Sequence, residues 1–136
     1  MEVLWVVAAD YASYSEGKPN ILGAFSEIRA VTLPVTLPQV HIVASLLVST
    51  EDVGAPHHIE YALLSPSGRA VSQMAVTVDV QDRPPEGEMG IANHIIVLHQ
   101  VTFSEEGEHR LRVLIDGEKD RAIPIYVRQL SKGEKP

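Results

Sequence analysis

The sequence predicts an all-β fold: an antiparallel β-sandwich of immunoglobulin-like or related topology, with a closed β-barrel as the alternative. Three observations predict it. Apolar residues recur with period two in one segment after another. Gly, Pro, Asn and Asp interrupt these segments at spacings of about ten to fifteen residues, as turns between short strands do. No stretch carries an apolar stripe long enough for an amphipathic helix of three turns.

The elements follow in chain order. Val3 to Tyr11 is rich in the β-branched and aromatic residues that strands favour. Gly17-Lys18-Pro19-Asn20 supplies turn chemistry, and Ile21 to Val31 reads as a second strand, with Ile21 and Phe25 in phase and directed to the core. Gly23 within it marks a bulge or a close backbone approach. Pro34 and Pro38 lack backbone donors and predict an extended connection rather than a central strand. From Gln39 to Thr50, Val40, Ile42, Ala44, Leu46 and Val48 share one face, with His41, Ser45 and Ser49 on the other. Asp52 to Pro56 is a loop. His58 to Leu64 is a strand with Ile59, Tyr61 and Leu63 in phase, closed by a turn at Ser65-Pro66-Ser67-Gly68. Arg69 to Val80 places Met74, Val76, Val78 and Val80 on one side and Gln73, Thr77 and Asp79 on the other. Asp82 to Gly90, polar and containing Pro84-Pro85, is the longest internal loop. Ile91 to Phe103 is a long strand, and His109 to Asp116 alternates Leu111, Val113 and Ile115 with Arg110, Arg112 and Leu114. Asp116-Gly117 is a hairpin signal leading into Ala122 to Arg128. That makes about eight strands in a single domain over residues 1–130, with 131–136 a charged, disordered tail.

Two strands break the rule that one face is apolar and the other polar. In the first, Val3, Trp5, Val7 and Ala9 form one phase and Leu4, Val6 and Ala8 the other, and both are apolar. The late segment Ile95-Ile96-Val97-Leu98 is likewise apolar on both. A sandwich has one core, so the second face needs a loop, a bulge that switches the phase, or a second subunit. Taking Leu4, Val6 and Ala8 as an outer face makes the N-terminal strand a homo-oligomer interface or a site for a partner protein. An apolar ligand groove is a further alternative.

Composition narrows the function. The chain has 136 residues, a formal charge of −7 and no cysteine. Disulfides, thiolate catalysis and cysteine-based metal sites are excluded. The absence of a basic cluster argues against nucleic acid as a partner. No apolar run approaches the roughly twenty residues of a membrane helix. The apolar start lacks the basic flank of a signal peptide. A cytoplasmic location is the expectation.

Candidate chemistry is sparse. His57 and His58 are adjacent and point to opposite faces of a strand, as do His94 and His99, so neither pair shares an ion there. His41, His57 and His58 read as imidazoles at strand edges, and His99 as a partly buried ring. No His-Glu-x-x-His helix, nucleophile elbow or phosphate-binding glycine loop occurs. Asp10, Asp79 and Asp116 read as turn or surface acids. Glu86, Glu88 and Glu105-Glu106 lie in polar loops, unlike a catalytic carboxylate pair. The expectation is a non-enzymatic module with no catalytic, cofactor-binding or metal residues and no cofactor. The alternative is a small-ligand or metal-binding module using the histidines near the Asp52–His58 loop.

The residues Trp5, Asp10-Tyr11-Ala12, Gly17 to Phe25, Pro34 and Pro38 resemble a small bacterial family of uncharacterised single-domain β-sandwich proteins, from the N-terminus to about Arg128. Gly107 to Gly117 resembles a strand of bacterial sandwich modules that has tyrosine where His109 stands. The resemblance implies a fold and no catalytic residue.

Overall fold

The computed structural model describes residues 1–134, with the backbone alone at 119 and 120. Among the described residues there are nine strands: β1 (Glu2–Ser15), β2 (Lys18–Phe25), β3 (Glu27–Ala30), β4 (Val35–Val48), β5 (Pro56–Leu64), β6 (Ala70–Asp79), β7 (Gly90–Phe103), β8 (Gly107–Ile115) and β9 (Glu118–Gln129). They form a four-stranded sheet, β2-β1-β4-β7, and a five-stranded sheet, β3-β9-β8-β5-β6. The order β9-β8-β5-β6 facing β1-β4-β7 matches G-F-C-C′ facing A-B-E of an immunoglobulin sandwich. Inward residues of both sheets meet in one core, with Ile42, Leu46, Leu98 and Phe103 from one and Ile59, Tyr61, Leu111 and Ile125 from the other.

Three details depart from the simple pattern. The segment Ile21 to Val31 is two strands, not one, because the chain crosses between sheets at Ser26. The second piece, β3, pairs with β9 in parallel, so the sandwich is not wholly antiparallel. The turn before β2 is Glu16-Gly17, both at positive φ, which puts Lys18-Pro19-Asn20 inside the strand. Pro38 also lies within a strand, in the middle sheet position of β4. It is tolerated because β1 pairs with β4 only up to Ala9↔His41, so β4 around Pro38 has one neighbour and no second ladder to break. The expected tail spans 131–136. Residues 131–134 form a turn in which Glu134 meets Arg128 and the Ser131 N–H, and 135–136 lie outside the described residues.

The doubly apolar first strand has a physical explanation. A bulge between Val3 and Trp5 shifts the register, so Val3, Val6 and Ala8 all enter the domain's own core and Leu4 turns outward. The Arg121 guanidinium donates to the Val3 and Leu4 carbonyls, at 3.4 and 3.1 Å, beside this irregularity. Val6 and Ala8 therefore do not form an outer face, and Leu4 alone of the three is exposed.

The other phase of the sheet is covered by curling. Past Ala9, β1 leaves β4 and continues with β2 as a long hairpin. The edge strand β2 approaches the opposite edge strand β7, which rolls the sheet into a half-barrel. The Tyr11 ring lies 5.2 Å from the His41 ring. Further along, the Tyr14 hydroxyl donates to the Asn93 carbonyl and accepts the Ile95 N–H. Ala9 and Val43, on the face turned from the main core, are fully buried as a result. Gly23 bends the hairpin: it sits at φ +67°, and a Cβ there would collide with the Asp10 carboxylate.

Two outcomes follow. Val6→Lys places an unpaired charge among core side chains, a change that costs about 3–5 kcal/mol or more. Thermal melting monitored by circular dichroism is expected to show a largely unfolded protein, whereas Leu4→Lys melts within a few degrees of the wild type. Gly23→Ala is expected to lower the melting temperature by several degrees, and Asp10→Ala in the same chain to restore the part due to the collision but not the part due to positive φ.

Candidate binding site at the loop end of the sandwich

The β4–β5, β6–β7 and β8–β9 connections gather at one end of the sandwich, the end where variable domains place their binding loops. Two features lie there: a partly buried polar cluster and an open cleft.

The cluster is centred on His57, at the start of β5. Its Nδ1 is 2.9 Å from Asp116 Oδ2, and its Nε2 is 2.8 Å from the Asp52 carbonyl. A carbonyl only accepts, so Nε2 carries a proton. The Asp116 carboxylate also only accepts, so the protonated ring, an imidazolium, donates from both nitrogens. The Asp116 hydrogen bond, helped by the Asp52 carbonyl, raises the His57 pKa above the ordinary value. The His57 bond and the His58 N–H lower that of Asp116. Asp116 occupies position one of a type I′ turn, with φ 52° followed by Gly117 at 81°. Its second oxygen accepts the His58 N–H at 2.9 Å. Asp52 accepts from the Ser49 N–H and hydroxyl at 2.8 and 3.0 Å. Burial would raise its pKa, but these bonds and the Met1 ammonium, 3.0 Å from the carboxylate, hold it below the ordinary range. The cluster ties the β4–β5 loop to the β8–β9 turn, and both His57 nitrogens are consumed in doing so.

The remaining histidines are accounted for separately. His58 points outward, with Nδ1 3.2 Å from the Thr77 hydroxyl. His94 joins the two sheets: the Tyr61 hydroxyl lies 2.9 Å from its Nδ1. Burial lowers the His94 pKa and raises that of Tyr61, which favours the neutral form of both groups in this hydrogen bond. His109 is fully buried; its Nδ1–H donates to the Gly107 carbonyl at 3.2 Å, and its ring meets the edge of Phe103. His41 is buried beneath Tyr11, and His99 is exposed rather than partly buried. Among the described residues no group of three or more His, Asp or Glu side chains is placed to hold a metal ion.

The cleft, of about 470 Å³, opens between the end of β6, the 80–89 loop and the start of β7. Its size falls in the roughly 300–1,000 Å³ range of ligand sites. Val48, Val78, Ile91 and Ala92 line it from the strands, and Pro84 and Met89 from the loop. Met89 and Ile91 are 51% and 54% exposed, unusual for large apolar side chains so close together. Asp79, Asp82 and Arg83 stand at the cleft, and none of them is held in a hydrogen bond or ion pair. The sequence singles out this loop by its length and polarity. It gives no sign of the cleft, because the hollow forms only when the ends of β6 and β7 that flank the loop are set beside Val48 of β4.

A model of a family of unknown function, DUF6941, matches residues 4–128. The chain belongs to that family. No curated protein matches the sequence. Among solved structures the chain is similar to the Pseudomonas fluorescens alkylpurine DNA glycosylase AlkC bound to DNA containing an abasic site analog, at 15% identity and a TM-score of 0.43. The match covers 76% of this chain and 27% of that one, so the chain spans about a quarter of that protein's length. Among the described residues no helix is long and apolar enough to cross a membrane.

The His57 cluster predicts a pH dependence. Its folded pKa lies above the unfolded value of about 6.5, so its stabilisation is fully present below pH 6.5 and is lost as pH rises through the raised folded value. His94 acts in the opposite sense: its folded pKa is depressed, so it opposes folding as pH falls below 6.5. Melting temperatures of wild type and His57→Gln, compared from pH 5 to 9, separate the two. The gap between the proteins is expected to be widest near pH 6 and to narrow as pH rises.

Proposed function

We propose that this protein is a non-catalytic interaction module that binds another polypeptide at the loop end of the sandwich. The observation that carries the reading is a contrast in how side chains are used. Groups capable of chemistry (His57, Asp116, Asp52, Tyr61, His94) are engaged with one another and tie loops or sheets together. What faces solvent beside them is an apolar cleft with Met89 and Ile91 exposed and its charges unpaired. Such a patch, rimmed by polar groups, is the usual mark of a protein-binding surface. The alternative based on loop histidines is less well supported, because His57 must lose two hydrogen bonds before it can take a metal or ligand. A cytoplasmic location fits the absence of cysteine.

Site-specific photo-crosslinking from position 89 in producing cells tests the proposal. A discrete adduct of defined mass is expected at position 89 and not at position 132, on the far tail. Ile91→Glu is expected to reduce the adduct at least tenfold while leaving the melting temperature within a few degrees, since the side chain is half exposed. Absence of any adduct at 89, or one unaffected by Ile91→Glu, overturns the reading.

A further inference from the structure

We infer that the partner is an extended segment carrying Lys or Arg, which adds as a strand to the free edge of β7, and that Tyr14 occupies part of that edge in the unbound protein. This inference rests on the interaction reading above.

β7 is the last strand of its sheet, paired only with β4. Its Asn93 carbonyl and Ile95 N–H reach Tyr14 and not β4, so both point to the free edge. In an antiparallel ladder this direction repeats every second residue. The register from Val48↔Gly90 to Val40↔Leu98 is unbroken, so the N–H and C=O of Ile91, the Asn93 N–H and the Val97 backbone point the same way. Proteins usually protect such an edge with proline, lysine or an early bulge. From Gly90 to His99 the sequence contains none of these, and Gln100 at φ 52° marks the first irregularity. Ile95 and Val97 pair with Val43 and His41, so they lie on the face that the curl shelters, at its open side, where both stay only half-buried.

One side chain does cover part of the edge. The Tyr14 hydroxyl gives the Asn93 carbonyl a donor and the Ile95 N–H an acceptor, the two functions that a neighbouring strand would supply. Tyr14 is 52% exposed, so it can withdraw without opening the core.

Charge selects the occupant. The start of the edge borders the cleft, lined by Asp79 and Asp82 against Arg83 alone, and Glu86 and Glu88 follow in the same loop. A second copy of a chain carrying −7 would bring the same acidic loop. A segment with Lys or Arg against the 79–88 loop, and alternating apolar residues along β7, complements both features.

The test uses two synthetic peptides of alternating Val and Thr. One ends in Lys-Lys, at the C-terminal end that antiparallel pairing sets against the loop; the other ends in Glu-Glu. The Lys peptide is expected to slow exchange of the Ile91 and Asn93 amides and to bind at least tenfold more tightly than the Glu peptide. Tyr14→Phe is expected to strengthen binding about fivefold, the worth of about one hydrogen bond. Ile91→Pro removes an edge donor outside the β4 ladder and is expected to abolish binding. Unprotected edge amides, equal binding of the two peptides, or an affinity unchanged by Tyr14→Phe overturns the inference. Dimerisation of Tyr14→Phe in native mass spectrometry, with edge protection but no peptide, would assign the edge to a second copy instead. A crosslink from position 89 without edge protection leaves the interaction reading standing and removes strand addition; loss of both removes both.

Discussion

The fold depends on burying β4 from both sides. From Val40 to Leu46 every residue of this strand is almost inaccessible. A sheet in a two-layer sandwich has one inner face, and Val40, Ile42, Ala44 and Leu46 are covered there by the opposing sheet. His41, Val43 and Ser45 face the other way and require a second layer. The chain provides it by extending β1 past β4 and returning through β2, so that the sheet curls on itself. Each apolar side chain buried in this way is worth about 1.5–3 kcal/mol, enough to explain why a hairpin is spent on covering one strand. The small residues Ala9, Ala12 and Ser45 along this surface let the layers approach closely.

The curl has consequences for the sheet edges. Bending the hairpin toward β7 places Tyr14 beside backbone groups that would otherwise meet only water. The sandwich therefore has unequal edges. β3 is short, and β6 turns polar residues such as Gln73 and Thr77 outward. β7 is long, apolar and guarded by a single phenol. At the same end the His57 cluster fixes the β4–β5 loop to the β8–β9 turn, while the 80–89 loop is free of such anchors apart from a turn bond between Pro85 and Glu88. One end of the sandwich thus sets two loops tied by side-chain hydrogen bonds beside one that lacks them.

Much of the fold was legible in the sequence because alternation reports burial on one face. Ile59, Tyr61 and Leu63 in β5, and Leu111, Val113 and Ile115 in β8, are core residues as their spacing predicts. The Asp116-Gly117 turn is equally direct, since two consecutive positive φ values call for those residue types. Alternation fails where the backbone changes phase or has two neighbours. The bulge at Leu4 exchanges the faces of β1, and nothing in Val3-Leu4-Trp5 distinguishes a bulged from a regular strand. The crossing at Ser26 is similarly hidden, because Ile21 to Val31 keeps its β character on both sides of the break. The site was less legible still. His57 and Asp116 lie 59 residues apart and meet only through the β5–β8 pairing. Asp116 had a sufficient local explanation as a turn residue, which masked its role as an ion-pair partner.

The two doubly apolar strands had the same appearance in sequence but have different physical causes. In β1 the second apolar phase results from a phase change that brings Val6 and Ala8 into the main core, followed by curling that shelters Ala9. In β7 the register with β4 is regular, so no phase change is available to absorb Ile95 and Val97. Their partial exposure remains after the domain has folded. An apolar pattern that the domain's own packing consumes is a folding signal. One that persists beside an open strand edge, next to a loop whose acids outnumber its bases, leaves that edge with backbone groups another strand could pair.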